Sequence, residues 1–109
     1  MADQKLADRN CTSEAAALED GAARSMLQDL NEWEITGDGE AIERRFTFKG
    51  FLKAVEMANL AAWLGNKQDH HPDIRFGFGY CEVRFTTHDA GGLSENDFIC
   101  AAKLDALVA

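Results

Sequence analysis

All three histidines of this 109-residue chain fall between positions 70 and 88. His70 and His71 are adjacent and precede Pro72, the single proline, while His88 follows Thr87. Imidazole is the side chain best suited to exchanging protons near neutral pH, so the cluster is a candidate acid–base site. Proline disfavours the helical region for the residue before it, so His71 is expected to be extended. Successive side chains of an extended segment point to opposite faces, and His70 and His71 reach one pocket only if the loop turns. Two other readings stand beside this one. A His-His-Pro turn and a histidine at a strand end can simply be solvated. A metal site is the other, since the three histidines and Asp97 are all ligand types for zinc or iron. Adjacent histidines rarely converge on one ion, however, and neither a His-x-His nor a His-x-x-x-His pair occurs. Asp97 has two compatible roles. It can cap a helix, or, lying on the same side as Ala101, Leu104 and Val108, it can point inward beside Thr87-His88 and orient an imidazole.

The elements that must position these residues follow from periodicity. Leu18, Ala22, Met26, Leu27 and Leu30 recur at helical spacing and predict a helix over 14–30, with Ser13 as its N-cap. Residues 33–36 and 41–48 read as two strands joined through Gly37-Asp38-Gly39, with Ile42, Phe46 and Phe48 on one face. A second helix is expected over 50–64, with Phe51, Leu52, Val55, Ala58 and Ala62 as its apolar stripe and Gly65 closing it. The polar loop 66–72 follows, then strands over 74–78 and 80–88. Ser94 and Asp97 resemble a capping box that starts the last helix, Leu93 and Phe98 a hydrophobic staple, and Phe98, Ala101, Leu104 and Val108 its buried side. Strands arrive as neighbouring pairs rather than alternating with helices. The expected fold class is therefore α+β, a two-layer sandwich in α-β-β-α-β-β-α order. A four-stranded antiparallel sheet would carry the helices on one face.

Composition narrows the setting. The length allows one core, so a single domain over 14–109 is expected behind a flexible polar segment over 1–13. A net charge of −8 argues against direct nucleic-acid or anionic-membrane partners, which need a basic surface. No stretch approaches a membrane span, and the first ten residues show no leader pattern. Cys11, Cys81 and Cys100 are widely spaced and odd in number. They read as reduced thiols of a cytoplasmic protein, two of them as small core residues, and not as a disulfide scaffold.

His70-His71-Pro72, then Thr87-His88, then Gly92-Leu93-Ser94 with Asp97, together resemble the signature of the pterin-4a-carbinolamine dehydratases. Upstream, Ile42-x-Arg44-x-Phe46-x-Phe48 followed by Phe51 and Ala54 is similar to the family's hairpin and long helix, so the likeness spans residues 26–108. The resemblance implies a hydro-lyase that converts 4a-hydroxytetrahydropterin to quinonoid dihydropterin, a step in tetrahydrobiopterin recycling. It implies a pterin substrate, no metal and no organic cofactor, and a homodimer or homotetramer joined through sheet edges. By the same resemblance His70 and His88 carry acid–base work and His71 binds and positions the pterin, with a share in catalysis. Asp97, Asp69, Pro72 and Thr87 support the site. The chain departs from the family pattern at Asn66, where glutamate is common, and Asp69 is the carboxylate that would substitute. The alternative implied by the family is a non-enzymatic binding module of the same fold, a dimerisation partner or transcriptional coactivator.

Overall fold

The structure is a computed structural model that describes residues 5–108. Its elements are α1 (Asp20–Leu27), β1 (Glu34–Ile35), β2 (Ile42–Thr47), α2 (Phe51–Gln68), β3 (Asp73–Gly77), β4 (Tyr80–Phe85) and α3 (Glu95–Val108). Short 3-10 turns lie at Leu6–Asp8 and His88–Ala90. The four strands form one antiparallel sheet in the order β1-β2-β4-β3. The α+β fold with helices on one sheet face is thus present, in the expected element order.

Alternation fixes which face is covered. The register sets Ile42 opposite Phe85 and Phe46 opposite Cys81. These four side chains and Val83 are buried beneath Ala54, Met57, Ala58, Ala61 and Leu64 of α2 and Phe98, Ile99, Ala101 and Leu104 of α3. The intervening residues face away from the helices, where Glu82 bonds Arg45 at 2.6 Å and Arg75 at 2.7 Å.

Several local expectations are corrected. The first helix is only Asp20–Leu27, because the backbone N–H of Leu18 donates to the Leu93 carbonyl at 2.8 Å and ties the preceding residues to the β4–α3 connection. The strand predicted over 80–88 ends at Phe85. Thr87 makes an isolated bridge with Gly92, and His88 opens a turn. On α2 the buried stripe is Ala54, Met57, Ala58, Ala61, Leu64 and Gly65, while Phe51, Leu52 and Ala62 are exposed. Apolar side chains occur on nearly every face of this helix, so a helical wheel does not single out the inward one.

The largest difference concerns the N-terminal segment. Residues 5–13, expected to fray, lie along α3; the rest of that expectation, 1–4, falls outside the described residues. Leu6 is buried, Lys103 Nζ donates to the Ala7 carbonyl at 2.9 Å, and Arg9 pairs with Glu95 at 2.6 Å. The Asn96 amide accepts from Thr12 N–H at 3.0 Å and donates to the Thr12 carbonyl at 2.7 Å. With sheet on one side and this segment on the other, α3 is buried around most of its circumference, which its simple apolar stripe understates.

At the far end of α3, the buried Asp105 accepts from Trp33 Nε1 at 2.8 Å, Arg44 Nη1 at 2.8 Å and Asn31 N–H at 3.0 Å. One carboxylate thus ties the entry to β1, the middle of β2 and the last helix together. It is a buried charge with its hydrogen bonds met.

Candidate active site

The helix end that presents His70 is closed by a left-handed residue, but that residue is Asp69 (φ 53°, ψ 39°) and not Gly65. His70 N–H donates to the Gly65 carbonyl at 3.0 Å and Asp69 N–H to the Asn66 carbonyl at 3.3 Å. This is the Schellman pattern, and it fixes the backbone of His70 one residue beyond the left-handed position. Gly65 has a different purpose inside the helix. A β-carbon there would stand 2.5 Å from Pro72 Cδ and 3.2 Å from the His70 carbonyl oxygen. Only a glycine lets the His70-His71-Pro72 turn fold back against α2, and contact with that turn fixes its course.

The imidazole so placed meets a carboxylate. His70 Nε2 lies 2.6 Å from Asp97 Oδ1. Asp97 is wholly buried and the His70 side chain is only 10% exposed. The second oxygen, Oδ2, accepts from Thr87 Oγ1 at 2.8 Å and from the Ser94 N–H at 2.9 Å. Thr87 has one hydroxyl proton, and Asp97 takes it, so the 2.8 Å contact between Thr87 and Ser94 is donated by Ser94. Ser94 Oγ in turn accepts from Asn96 N–H at 3.3 Å. The chain of donation runs from the first turn of α3 through two hydroxyls into the carboxylate, and both roles read for Asp97, cap and imidazole partner, are filled at once. An acceptor-only carboxylate requires Nε2 to carry the hydrogen. This leaves Nδ1 as the histidine's other nitrogen for proton exchange.

The electrostatics follow from the same neighbours. Burial works to depress the His70 pKa, but the hydrogen bond and negative charge of Asp97, with a further contribution from Cys11, outweigh it and leave the pKa above the ordinary histidine value. The ring also stacks on the buried Phe85, with centroids 6.0 Å apart and planes 11° from parallel.

His70 lines a pocket of about 320 Å³ together with Cys11, Thr12, Gln68, Asp69, Thr87, Asp89 and Asn96. Wider hollows of about 420 and 410 Å³, beside Asp105 and on the open sheet face, contain no histidine. The structure therefore brings His70, Thr87 and Asp97 into direct contact and sets Asp69 on the same pocket. Pro72 stands behind, against Gly65. His71 is exposed one residue beyond His70, and His88 is exposed between the pocket residues Thr87 and Asp89. Neither joins the hydrogen-bonded group. Among the described residues no set of three or more His, Cys, Asp or Glu side chains is arranged to hold a metal ion. Sequence reasoning missed Cys11, Thr12, Gln68 and Asn96 as pocket walls. Their only sequence signal is weak: Leu6 and Cys11 are apolar positions in a polar segment.

Comparison with known proteins agrees with the fold. The family model described as pterin 4 alpha carbinolamine dehydratase matches residues 16–107. A Legionella pneumophila protein provisionally named pterin-4-alpha-carbinolamine dehydratase is 44% identical over 100 residues, covering 91% of this chain and 88% of its own. A Paracoccus denitrificans protein of the same provisional name is 48% identical over 92 residues, covering 84% and 86%. Among solved structures, a Brucella melitensis transcriptional coactivator/pterin dehydratase superposes with a TM-score of 0.78 at 32% identity, over 84% of this chain and 98% of that one. A pterin dehydratase-like protein identified as a RuBisCO assembly factor in the alpha-carboxysome gives 0.59 at 25% identity, over 72% and 92%. By sequence and by fold, the chain belongs to the pterin 4 alpha carbinolamine dehydratase family.

Proposed function

We propose that the protein is a hydro-lyase that dehydrates 4a-hydroxytetrahydropterin to quinonoid dihydropterin by histidine acid–base catalysis, in tetrahydrobiopterin recycling. The observation that carries this reading is the 2.6 Å contact between His70 Nε2 and the buried Asp97 carboxylate at a pocket wall. Loss of water from carbon 4a needs a proton on the departing hydroxyl, while the neighbouring ring nitrogen gives one up. An imidazole whose pKa is raised, whose ring is locked by Asp97 and Phe85, and whose second nitrogen is free can make one of these transfers. His88, on the loop between Thr87 and Asp89, is the partner for the other, and His71 binds and positions the pterin. Asp69 supplies the carboxylate near the pocket that Asn66 does not. The reaction needs no electron transfer, and we assign it no metal or organic cofactor.

The assembly is a homodimer or homotetramer. Support comes from the exposed apolar side chains Phe51 and Leu52 on α2 and Phe76 and Phe78 on the β3 edge and its turn. The same exposed side chains favour one rival reading, a binding module of this fold, which the similar Brucella melitensis transcriptional coactivator/pterin dehydratase also suggests.

The two readings separate on turnover. Generated 4a-hydroxytetrahydropterin is followed by the absorbance of quinonoid product, with and without protein. Dehydration faster than the spontaneous reaction supports the enzyme; an unchanged rate with an active pterin supply sinks it and favours the module.

A further inference from the structure

Cys11 and Cys100 lie 89 residues apart in sequence, yet their Sγ atoms are 3.4 Å apart. A disulfide needs about 2.05 Å, so the two sulfurs must close by only about 1.4 Å. The two thiols differ in the way a peroxide-sensing pair requires. Cys11 is half-buried in an irregular segment and lines the His70 pocket. Cys100 is wholly buried in the middle of α3. A hydrogen bond with Cys100 holds the Cys11 thiol below its ordinary pKa, whereas that bond and burial push the Cys100 thiol up. The attacking thiolate and the resolving thiol are thereby distinguished. The third cysteine, Cys81, is buried in β4 with its thiol pushed up to about 11 by burial, and serves as an internal control.

We propose that Cys11 and Cys100 are a modification site, joined by hydrogen peroxide into a reversible intramolecular disulfide that reshapes the pocket wall beside His70. The Cys11 thiolate attacks one peroxide oxygen, the O–O bond breaks, and the departing hydroxide takes up a proton as water. The Cys11 sulfenic acid is then attacked by the Cys100 sulfur, whose proton leaves with the sulfenic oxygen as a second water. Two thiols and one peroxide thus become one disulfide and two waters, with sulfur oxidised and peroxide oxygen reduced.

The consequence for the pocket follows from what Cys11 holds. Its N–H donates to Gln68 Oε1 at 2.9 Å, and Gln68 is the last residue of α2, two before His70. The next residue, Thr12, is bonded to Asn96. Cys100 is fixed in a helix, so Cys11 must move toward it, on the segment whose N–H is bonded to Gln68. Closure also replaces an ionisable sulfur with a neutral one. The charged groups near His70 are Asp97 from α3 and Cys11 from the N-terminal segment, with Asp69 and Asp89 on the pocket wall and Lys103 beside Cys11. Losing the Cys11 charge removes one of the groups that favour the imidazolium.

The test uses the whole reduced chain and hydrogen peroxide. Intact mass spectrometry is expected to show a product two hydrogens lighter, with a peptide linking positions 11 and 100, reverted by dithiothreitol. In Cys100→Ser, or Cys100→Ala if the buried hydroxyl prevents folding, Cys11 stops at the sulfenic acid and is trapped by dimedone. The His70 titration, followed by NMR on the oxidised wild type, is expected to shift to lower pH. A wild-type chain that yields only a dimedone adduct, or that cross-links through Cys81 or between chains, overturns the pair. A disulfide that leaves the His70 titration unmoved overturns the coupling to the pocket. None of these readouts uses a pterin, so failure of the dehydratase reading leaves this result standing, and the reverse.

Discussion

The proton-transfer role proposed for His70 is supported by its having a buried partner and a pocket wall at the same time. Its pKa is raised by Asp97 against the opposing effect of burial. In Asp97→Asn the charge is lost and the shape kept, so the His70 midpoint is expected to fall, as read by NMR titration. Linkage gives the sign for stability. A folded-state pKa above the unfolded value contributes stability that is complete below about pH 6.5 and is lost as pH rises through the folded value. The stability difference between wild type and His70→Gln is therefore expected to shrink from about pH 5 to about pH 8, measured by denaturant unfolding. A difference that grows with pH contradicts the pairing. Which side chains would meet was partly legible in the sequence. Asp97 reads as inward from its helical wheel, and His70 and Thr87 from the motif around them. His71 and His88 stand outside the bonded group because the turn after Asp69 separates adjacent side chains, and because the chain leaves the sheet at Phe85 before His88 is reached.

At the scale of elements, the site depends on how α2 ends. The Schellman closure at Asp69 and the close approach of Pro72 to Gly65 aim His70 at α3. Gly65→Ala sets a methyl 2.5 Å from Pro72 Cδ. It is expected to destabilise the protein by about 1–3 kcal/mol by overpacking, although alanine is the better helix former. Equal or higher stability in urea would show that the turn yields freely. Sequence alone read Gly65 as the helix terminator, since a glycine before a polar loop is the commonest stop signal. Aspartate tolerates the left-handed region, so the helix ran on four residues to Asp69. The start of α3 was legible for the opposite reason: at the predicted positions Asp97 accepts from Ser94 N–H and Ser94 Oγ accepts from Asn96 N–H, local bonds that need no knowledge of the rest of the fold.

Over the whole molecule, long-range partners are what sequence periodicity could not supply. The order of elements and the two-layer class follow from local pattern. The packing of residues 5–13 on α3 and the convergence of Trp33, Arg44 and Asn31 on Asp105 join positions 61 or more apart. Asp105→Ala strands a part-buried guanidinium and a buried indole N–H, and is expected to cost about 3 kcal/mol in unfolding free energy. A loss under about 1 kcal/mol, the scale of an exposed pair, would mean the network is dispensable. Sedimentation at micromolar concentration is expected to give a species of two or four 12.0 kDa chains; a monomer contradicts the assembly. The proposed function rests on His70 as a proton-transfer group in a dehydratase. Its most direct test is the turnover of 4a-hydroxytetrahydropterin by His70→Ala beside wild type. A fall of about 10²-fold or more in kcat/KM, in a variant that still folds, is the predicted result. A variant that turns over as fast as wild type would contradict it.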